Sequence, residues 1–289
     1  MLARPAYTAV VVIRRCRSAI GYGWVGGNGT IQEDVNRRIY SSSRIVKKYA
    51  QVELRPAETA FFKRHDDAIA ERRILELGCG AGRITGHLAS VSSTVTGIDV
   101  SPAMIEYCRQ AIPSGTFVVG DLRDLSAYSD ASFDLVVAGA NVFDAVSHED
   151  RLKVLAEIRR VLAPEGVLFF SSHNLHSTRA LDDARHGPHF EPVRNPYRLL
   201  RATARFVQGK VNHRRFAKYQ VFGEEHALLN DDAHGWRLLH YYISRPGQVA
   251  QLEAAGFEPV DVYGSDGSVL ASGDDDSQFT ELHYVARAG

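Results

Sequence analysis

Short apolar runs and helical amphipathic stretches alternate along the middle of this chain. Ile74, Leu75 and Leu77 suit a buried strand, and Ile84 to Val91 follows at helical spacing. A second strand is expected over 94–98, ending at Asp99. Met104, Ile105 and Cys108 then mark the inner face of a helix that Ser101 caps and Pro102 opens. Phe117 to Val119, Phe133 to Val137 and Val167 to Phe170 continue the strand series. Between the last two, Leu152, Leu155, Ile158, Val161 and Leu162 predict the inward face of a helix over Glu149–Leu162. Strands that alternate with helices build a mostly parallel sheet with helices on both faces. The pattern breaks over 175–240, a stretch rich in histidine and cations, and resumes with a helix at Pro246–Ala255 and strands at Pro259–Tyr263 and His283–Ala286.

Ahead of the first strand, Ile39, Ile45, Val46 and Tyr49, then Ala60, Phe61 and Ile69, recur at helical spacing, with a break at Pro56. The first 34 residues hold a glycine-rich stretch at 21–29 and read as a flexible arm; the run Val10–Ile13 is too short for a signal-peptide core. The expected organisation is an arm (1–34), N-terminal helices (35–71), a ligand-binding core (72–174), an inserted cap (175–240) and the C-terminal part of the core (241–289).

Composition adds limits rather than direction. Hydrophobic content of 45% and charged content of 24% are ordinary for a globular protein. A formal net charge of +0 supplies no global field for nucleic acid or an anionic membrane, so neither is expected as a partner. Cys16, Cys79 and Cys108 are scattered, without disulfide or zinc spacing, which suits a reducing cytoplasm. No apolar run approaches the ~20 residues of a membrane span. His186 and His189 beside Asp182 and Asp183 lie in an interrupted segment, and no metal is expected there or elsewhere.

The chemistry concentrates where the first strand ends. Glu76-Leu77-Gly78-Cys79-Gly80-Ala81-Gly82 places three glycines at alternate positions between strand and helix. Glycines admit close backbone approach, and the helix start offers unpaired N–H groups to a polar ligand. A dinucleotide fingerprint would want glycine or alanine at position 83, which is Arg83. Asp99 lies about twenty residues past the glycines, where a carboxylate can accept both hydroxyls of a ribose.

Glu-x-Gly-x-Gly-x-Gly resembles the first motif of the class I S-adenosylmethionine (SAM) methyltransferases, and Gly97–Ile105, "GIDVSPAMI", resembles their second. Further matches are "EIRRVLAPEG" at 157–166, in which Glu165 replaces the usual first glycine, and the Gly256-Phe257 segment. The resemblance covers roughly 72–174 and 245–287. It implies an α/β, Rossmann-like, seven-stranded sheet whose last strand is antiparallel, N-terminal helices over the site and a cap inserted after strand five. It further implies SAM as cofactor, with S-adenosylhomocysteine as product. Glu76, Gly78, Cys79, Gly80 and Gly82 would wrap the amino-acid end. Asp99, Val100 and Met104 would take the ribose side, Asp121 and Leu122 the adenine, and Ala140 and Asn141 the methyl side.

Substrate should approach beyond the carboxyl ends of strands four and five. Phe143, Asp144 and Asn174 are the candidates there, with Tyr40 and Tyr49 from the N-terminal helices. A hydroxyl acceptor gains from a general base, for which His173 is the first candidate and His148 the second. The chain lacks the Asn/Asp-Pro-Pro-Tyr and Pro-Cys motifs of nucleic-acid methylation. The expected activity is methyl transfer to an oxygen or nitrogen of a small molecule. An RNA or protein methyltransferase docking through the basic insert, and a SAM-binding scaffold without transfer, are the alternatives.

Overall fold

The computed structural model describes residues 46, 49–50, 52–65, 69–191 and 193–289. The arm, most of the first N-terminal helix and Tyr40 lie outside the described residues. Five parallel strands form the centre: β1 (Ile74–Leu77), β2 (Val95–Asp99), β3 (Thr116–Val119), β4 (Phe133–Ala138) and β5 (Leu162–Asn174). They lie in the order β3-β2-β1-β4-β5. Two strands from the C-terminal part, β8 (Phe257–Gly264) and β9 (Glu281–Ala288), complete the expected seven; β9 runs antiparallel to both β5 and β8.

Alternation along the strands sorts side chains onto two helical layers. Leu75, Leu77, Leu168 and Phe170 pack with Val154, Leu155, Ile158 and Val161 of α4 (His148–Val161) and Leu252 of α7 (Arg245–Ala254). Ile74, Val137 and Phe169 face the other way, onto Phe61 of α1 (Pro56–Arg64) and Ile84 and Leu88 of α2 (Arg83–Val91). Phe61 stacks on Phe169 with centroids 4.0 Å apart. Truncating such a ring to alanine costs about 3–5 kcal/mol.

The expected inward face of α4 is corrected in one respect. Leu152 is 42% exposed, while its neighbour Arg151 is fully buried. A carboxylate explains the exchange: Asp144, itself fully buried, accepts from Arg151 Nη1 at 2.6 Å. Hydrophobic periodicity is blind to a buried cation that has a partner.

The inserted block is built onto the sheet rather than beside it. It contains α5 (Thr178–His186), α6 (Pro196–Phe216), β6 (His226–Leu229) and β7 (His240–Ile243). Pairing of β4 with β5 stops at Ala138 and Phe170, but β5 runs on to Asn174. There β7 pairs in parallel, His173 with Tyr242 and Asn174 with Ile243, and β6 pairs antiparallel to β7. β7 itself straddles the expected boundary at 240, running from His240 to Ile243.

Candidate active site

A cleft opens over the carboxyl ends of β1, β2 and β4. Gly78 follows β1 at φ +64°, and a Cβ there would stand 2.2 Å from Val142 Cγ2, so only glycine fits. Gly80, at φ +54°, lines the cleft and would place a Cβ in open space. Asp99 fixes this loop: its Oδ2 accepts from Gly80 N at 2.9 Å and its Oδ1 from Ser101 N at 2.8 Å. Burial raises the Asp99 pKa, although these backbone donors oppose the rise.

Eleven of the twelve expected cofactor residues line this one cleft: Glu76, Gly78, Cys79, Gly80, Asp99, Val100, Met104, Asp121, Leu122, Ala140 and Asn141. Gly82 is set back from it. A Cβ on Gly82 would lie 2.5 Å from Ile112 Cδ1, so this glycine serves the packing of α2 against the end of α3 (Pro102–Ala111). Glu76 is buried and accepts a hydrogen bond from Thr85 Oγ1; burial pushes its pKa up to about 8. Asp121 is already engaged, its Oδ1 and Oδ2 accepting from Arg123 Nε and Nη2 at 3.0 and 2.6 Å. Arg123 also reaches Asp150 at 2.8 Å.

Ala140 and Asn141 both adopt positive φ, +54° and +58°, a conformation that non-glycine residues rarely hold in succession. It turns the chain back at the cleft edge. Asn141 N donates to Ser171 Oγ at 2.8 Å, and Asn141 Nδ2 lies 2.7 Å from Glu281 Oε2 and 3.2 Å from His173 Nε2. Asn141 Oδ1 is buried and meets no hydrogen-bond donor among the described residues.

Behind Asn141 stands a histidine–carboxylate pair. His173 Nδ1 lies 2.7 Å from Asp144 Oδ2, which also accepts from the His173 backbone N at 2.7 Å. Burial opposes ionisation of Asp144, but Arg151 and His173 outweigh it and hold the carboxyl below its ordinary value. Burial likewise opposes a charged His173, yet the hydrogen bond and charge of Asp144, aided by Asp231 and Glu281, raise its pKa. A second pair stands beside the first: His240 stacks on His173 at 4.9 Å, and its Nδ1 lies 2.7 Å from Asp231 Oδ2.

The other expected substrate and base residues separate clearly. Tyr49 lines the cleft, its hydroxyl 3.3 Å from His234 Nε2. Phe143 does not reach it: the ring is fully buried against Phe170 at 5.1 Å. Asp144 sits behind His173 rather than against substrate. Asn174 is fully buried, donating to the carbonyls of Asp276 and Phe279. Neither histidine lines the cleft: His173 meets it through Asn141, whereas His148 lies 2.8 Å from Tyr241 Oη and stacks on His226 at 4.4 Å.

Comparison with known proteins agrees with this geometry. A methyltransferase domain family matches residues 75–170. Over this segment, about a third of its length, the chain is similar to SAM-dependent methyltransferases. The Bacillus subtilis methyltransferase YqeM is 35% identical over 106 residues, 35% of this chain and 42% of its own length. The ubiquinone biosynthesis O-methyltransferase of Histophilus somni is 27% identical, over 42% of this chain and 53% of its own. The chain thus spans about half the length of these curated relatives. Among solved structures, the Burkholderia thailandensis 1,6-didemethyltoxoflavin-N1-methyltransferase superposes with a TM-score of 0.56 at 16% identity, covering 91% of this chain and 93% of that one.

The family's cofactor, SAM, suits the residues present. The glycine loop offers close approach, Asp99 a carboxylate, Val100 and Leu122 apolar walls, and Asn141 Oδ1 an unsatisfied buried acceptor. Sequence reasoning missed Asp231, His240 and Glu281. Arg55 and Glu281 form an ion pair that presents Glu281 to Asn141. No motif links the missed residues.

Proposed function

We propose that this methyltransferase moves the methyl group of SAM to a hydroxyl of a small molecule, with His173 as general base. The observation that carries this reading is the His173–Asp144 pair, held against Asn141 at the rim of the cofactor cleft. When bound, SAM supplies an electrophilic methyl on a sulfonium, in line with an attacking lone pair. Gly78, Gly80, Asp99 and Asn141 bind and orient it, and that positioning supplies roughly 7–11 kcal/mol of the barrier. Asp144 keeps the proton of His173 on Nδ1; Nε2, which accepts from Asn141 Nδ2 at 3.2 Å, is then the atom that takes the acceptor proton once the acceptor displaces that amide. Arg151 keeps Asp144 ionised for that task.

A hydroxyl needs this help more than a neutral amine does, so the buried base favours oxygen. The Histophilus relative is named as an O-methyltransferase, which agrees. An amine acceptor, which needs only a free lone pair, is the second reading. Incubating labelled SAM with a small-molecule extract, and locating the label by mass spectrometry, tests both. A product methylated on oxygen supports the first reading, and label only on RNA or protein removes both.

A further inference from the structure

Helix α6 carries a surface that the methyl-transfer reading does not use. Its 21 residues pack on the rest of the cap mainly through Gly209, Asn212, His213 and Phe216. Asn212 Nδ2 donates to the Gly235 carbonyl at 2.7 Å, and His213 Nδ1 lies 2.9 Å from Asn230 Oδ1. On the opposite face, Leu200, Ala204, Val207 and Val211 follow one another at intervals of four, three and four, which aligns them along the helix. Leu200, Val207 and Val211 are 71%, 54% and 57% exposed. Single exposed apolar side chains are ordinary, but an aligned outward stripe is not.

The flanks are cationic. By helical rotation Arg201 and Arg215 border the stripe on one side, Lys210 and Arg214 on the other. No Asp or Glu occurs between Glu191 and Glu224. The zero net charge of the whole chain is therefore an average that hides a strongly basic helix.

We propose that the outward face of α6 docks on an anionic lipid bilayer surface, with Leu200, Val207 and Val211 inserted among the headgroups and the flanking cations on lipid phosphates. An apolar stripe between two cationic borders is the pattern of a helix lying in the interfacial plane. Nucleic acid would reward the cations but not the stripe between them. A second copy, paired helix to helix along the stripe, would bring like charges together on its borders. The proposal departs from the absence of a membrane partner expected from net charge, and it involves no span. It goes beyond the methyl-transfer reading and stands without it. It also has a bearing on the site, because the loop under α6 carries Asp231, which pairs with His240, and His234, which meets Tyr49 at the cleft.

Co-sedimentation with vesicles tests it. The full chain should pellet with vesicles of phosphatidylcholine and phosphatidylglycerol, stay in solution with phosphatidylcholine alone, and be released by high salt. A cation near an anionic leaflet contributes about fivefold in affinity, so Arg201→Gln with Arg214→Gln should weaken binding by roughly 25-fold. Leu200→Ser with Val207→Ser leaves the charge unchanged and should cost about tenfold or more. All four positions are exposed, so circular dichroism and SAM affinity should match the unaltered chain. Failure to bind anionic vesicles overturns the proposal, as does full binding by the double serine variant. Sedimentation only with added RNA would assign the helix to nucleic acid instead, and a concentration-dependent dimer that the serine variant abolishes, without vesicle binding, would assign it to a second copy.

Discussion

Replacing His173 by alanine separates the chemistry from the scaffold. The imidazole holds Asp144 Oδ2 at 2.7 Å, but Asp144 keeps Arg151, Ser172 and the His173 backbone N as partners. The variant loses one hydrogen bond to a charged group, about 1.5–3 kcal/mol. For a chain of this size that lowers the melting temperature by roughly 3–12 °C. A domain with ordinary stability of about 5–15 kcal/mol stays folded. SAM affinity should stay within a few-fold of normal, because His173 meets the cleft only through Asn141. Turnover should fall by roughly 100- to 10,000-fold, the usual share of a general base. The base works only when neutral, so the rate must fall as pH drops through its pKa. That pKa is raised, which places the acid limb above the ordinary ~6.5 of a free imidazole. Steady-state rates across pH, with acceptor identified, are the assay. The limb should vanish in His173→Gln, which keeps a polar group beside Asp144. Turnover within a few-fold of normal in both variants, with the limb unchanged, would refute the base assignment and leave positioning alone as the source of rate.

Gly80→Val would put a branched side chain into the cleft, and Asp99→Ala would remove a carboxylate that holds Gly80 and Ser101; each should weaken SAM by tenfold or more in calorimetry, and unchanged affinity in both would remove the cofactor site. Glu76 is protonated in the free protein up to about pH 8, and the cationic amino-acid end of SAM favours its ionised form, so binding at pH 7 should release a proton. Calorimetry in buffers of different ionisation enthalpy reads this directly; a release that persists in Glu76→Gln would place it elsewhere. Asp121→Ala should lower both SAM affinity and melting temperature, since the carboxylate faces the cleft and also holds Arg123; loss of melting temperature alone would make it a turn residue. Asp144 and Asp231 are both held below the ordinary carboxylate value, so the stability they contribute is complete above about pH 4 and lost as pH falls below it. Acid unfolding of Asp231→Asn should show a shallower dependence there, and an unaltered curve would deny that contribution.

The core was legible because its determinants are local. Ile74–Leu77, the glycines and Asp99 lie within 26 residues of one another, and each constraint acts between chain neighbours or adjacent strands. Gly78 is needed by the turn itself, and Asp99 is delivered to Gly80 by the parallel register that sets Leu77 beside Ile98. The errors arose where polar burial competes with apolar pattern. Leu152 is expected inside, but the buried Asp144 draws its neighbour Arg151 in and leaves Leu152 exposed. Phe143 was expected at the substrate because it follows β4, yet the αL turn at Ala140–Asn141 swings it into the core.

The acceptor side was illegible for a different reason: topology creates it. β5 outruns β4 by four residues, and this leaves an unpaired edge at Ser171–Asn174. An exposed edge of that kind must be covered or paired. The inserted block supplies β7 to pair it, and with β7 come His240 on the face of His173 and Tyr242, whose hydroxyl donates to Asp231 at 2.9 Å. On the opposite edge β9 sets Glu281 against His173 in the sheet register. Asp231 and Glu281, which join Asp144 in raising the His173 pKa, therefore both come from segments after residue 174. On the proposed role of His173 the inserted block belongs to the acid–base site, because the strand that pairs the open edge of β5 is the one that carries the second histidine.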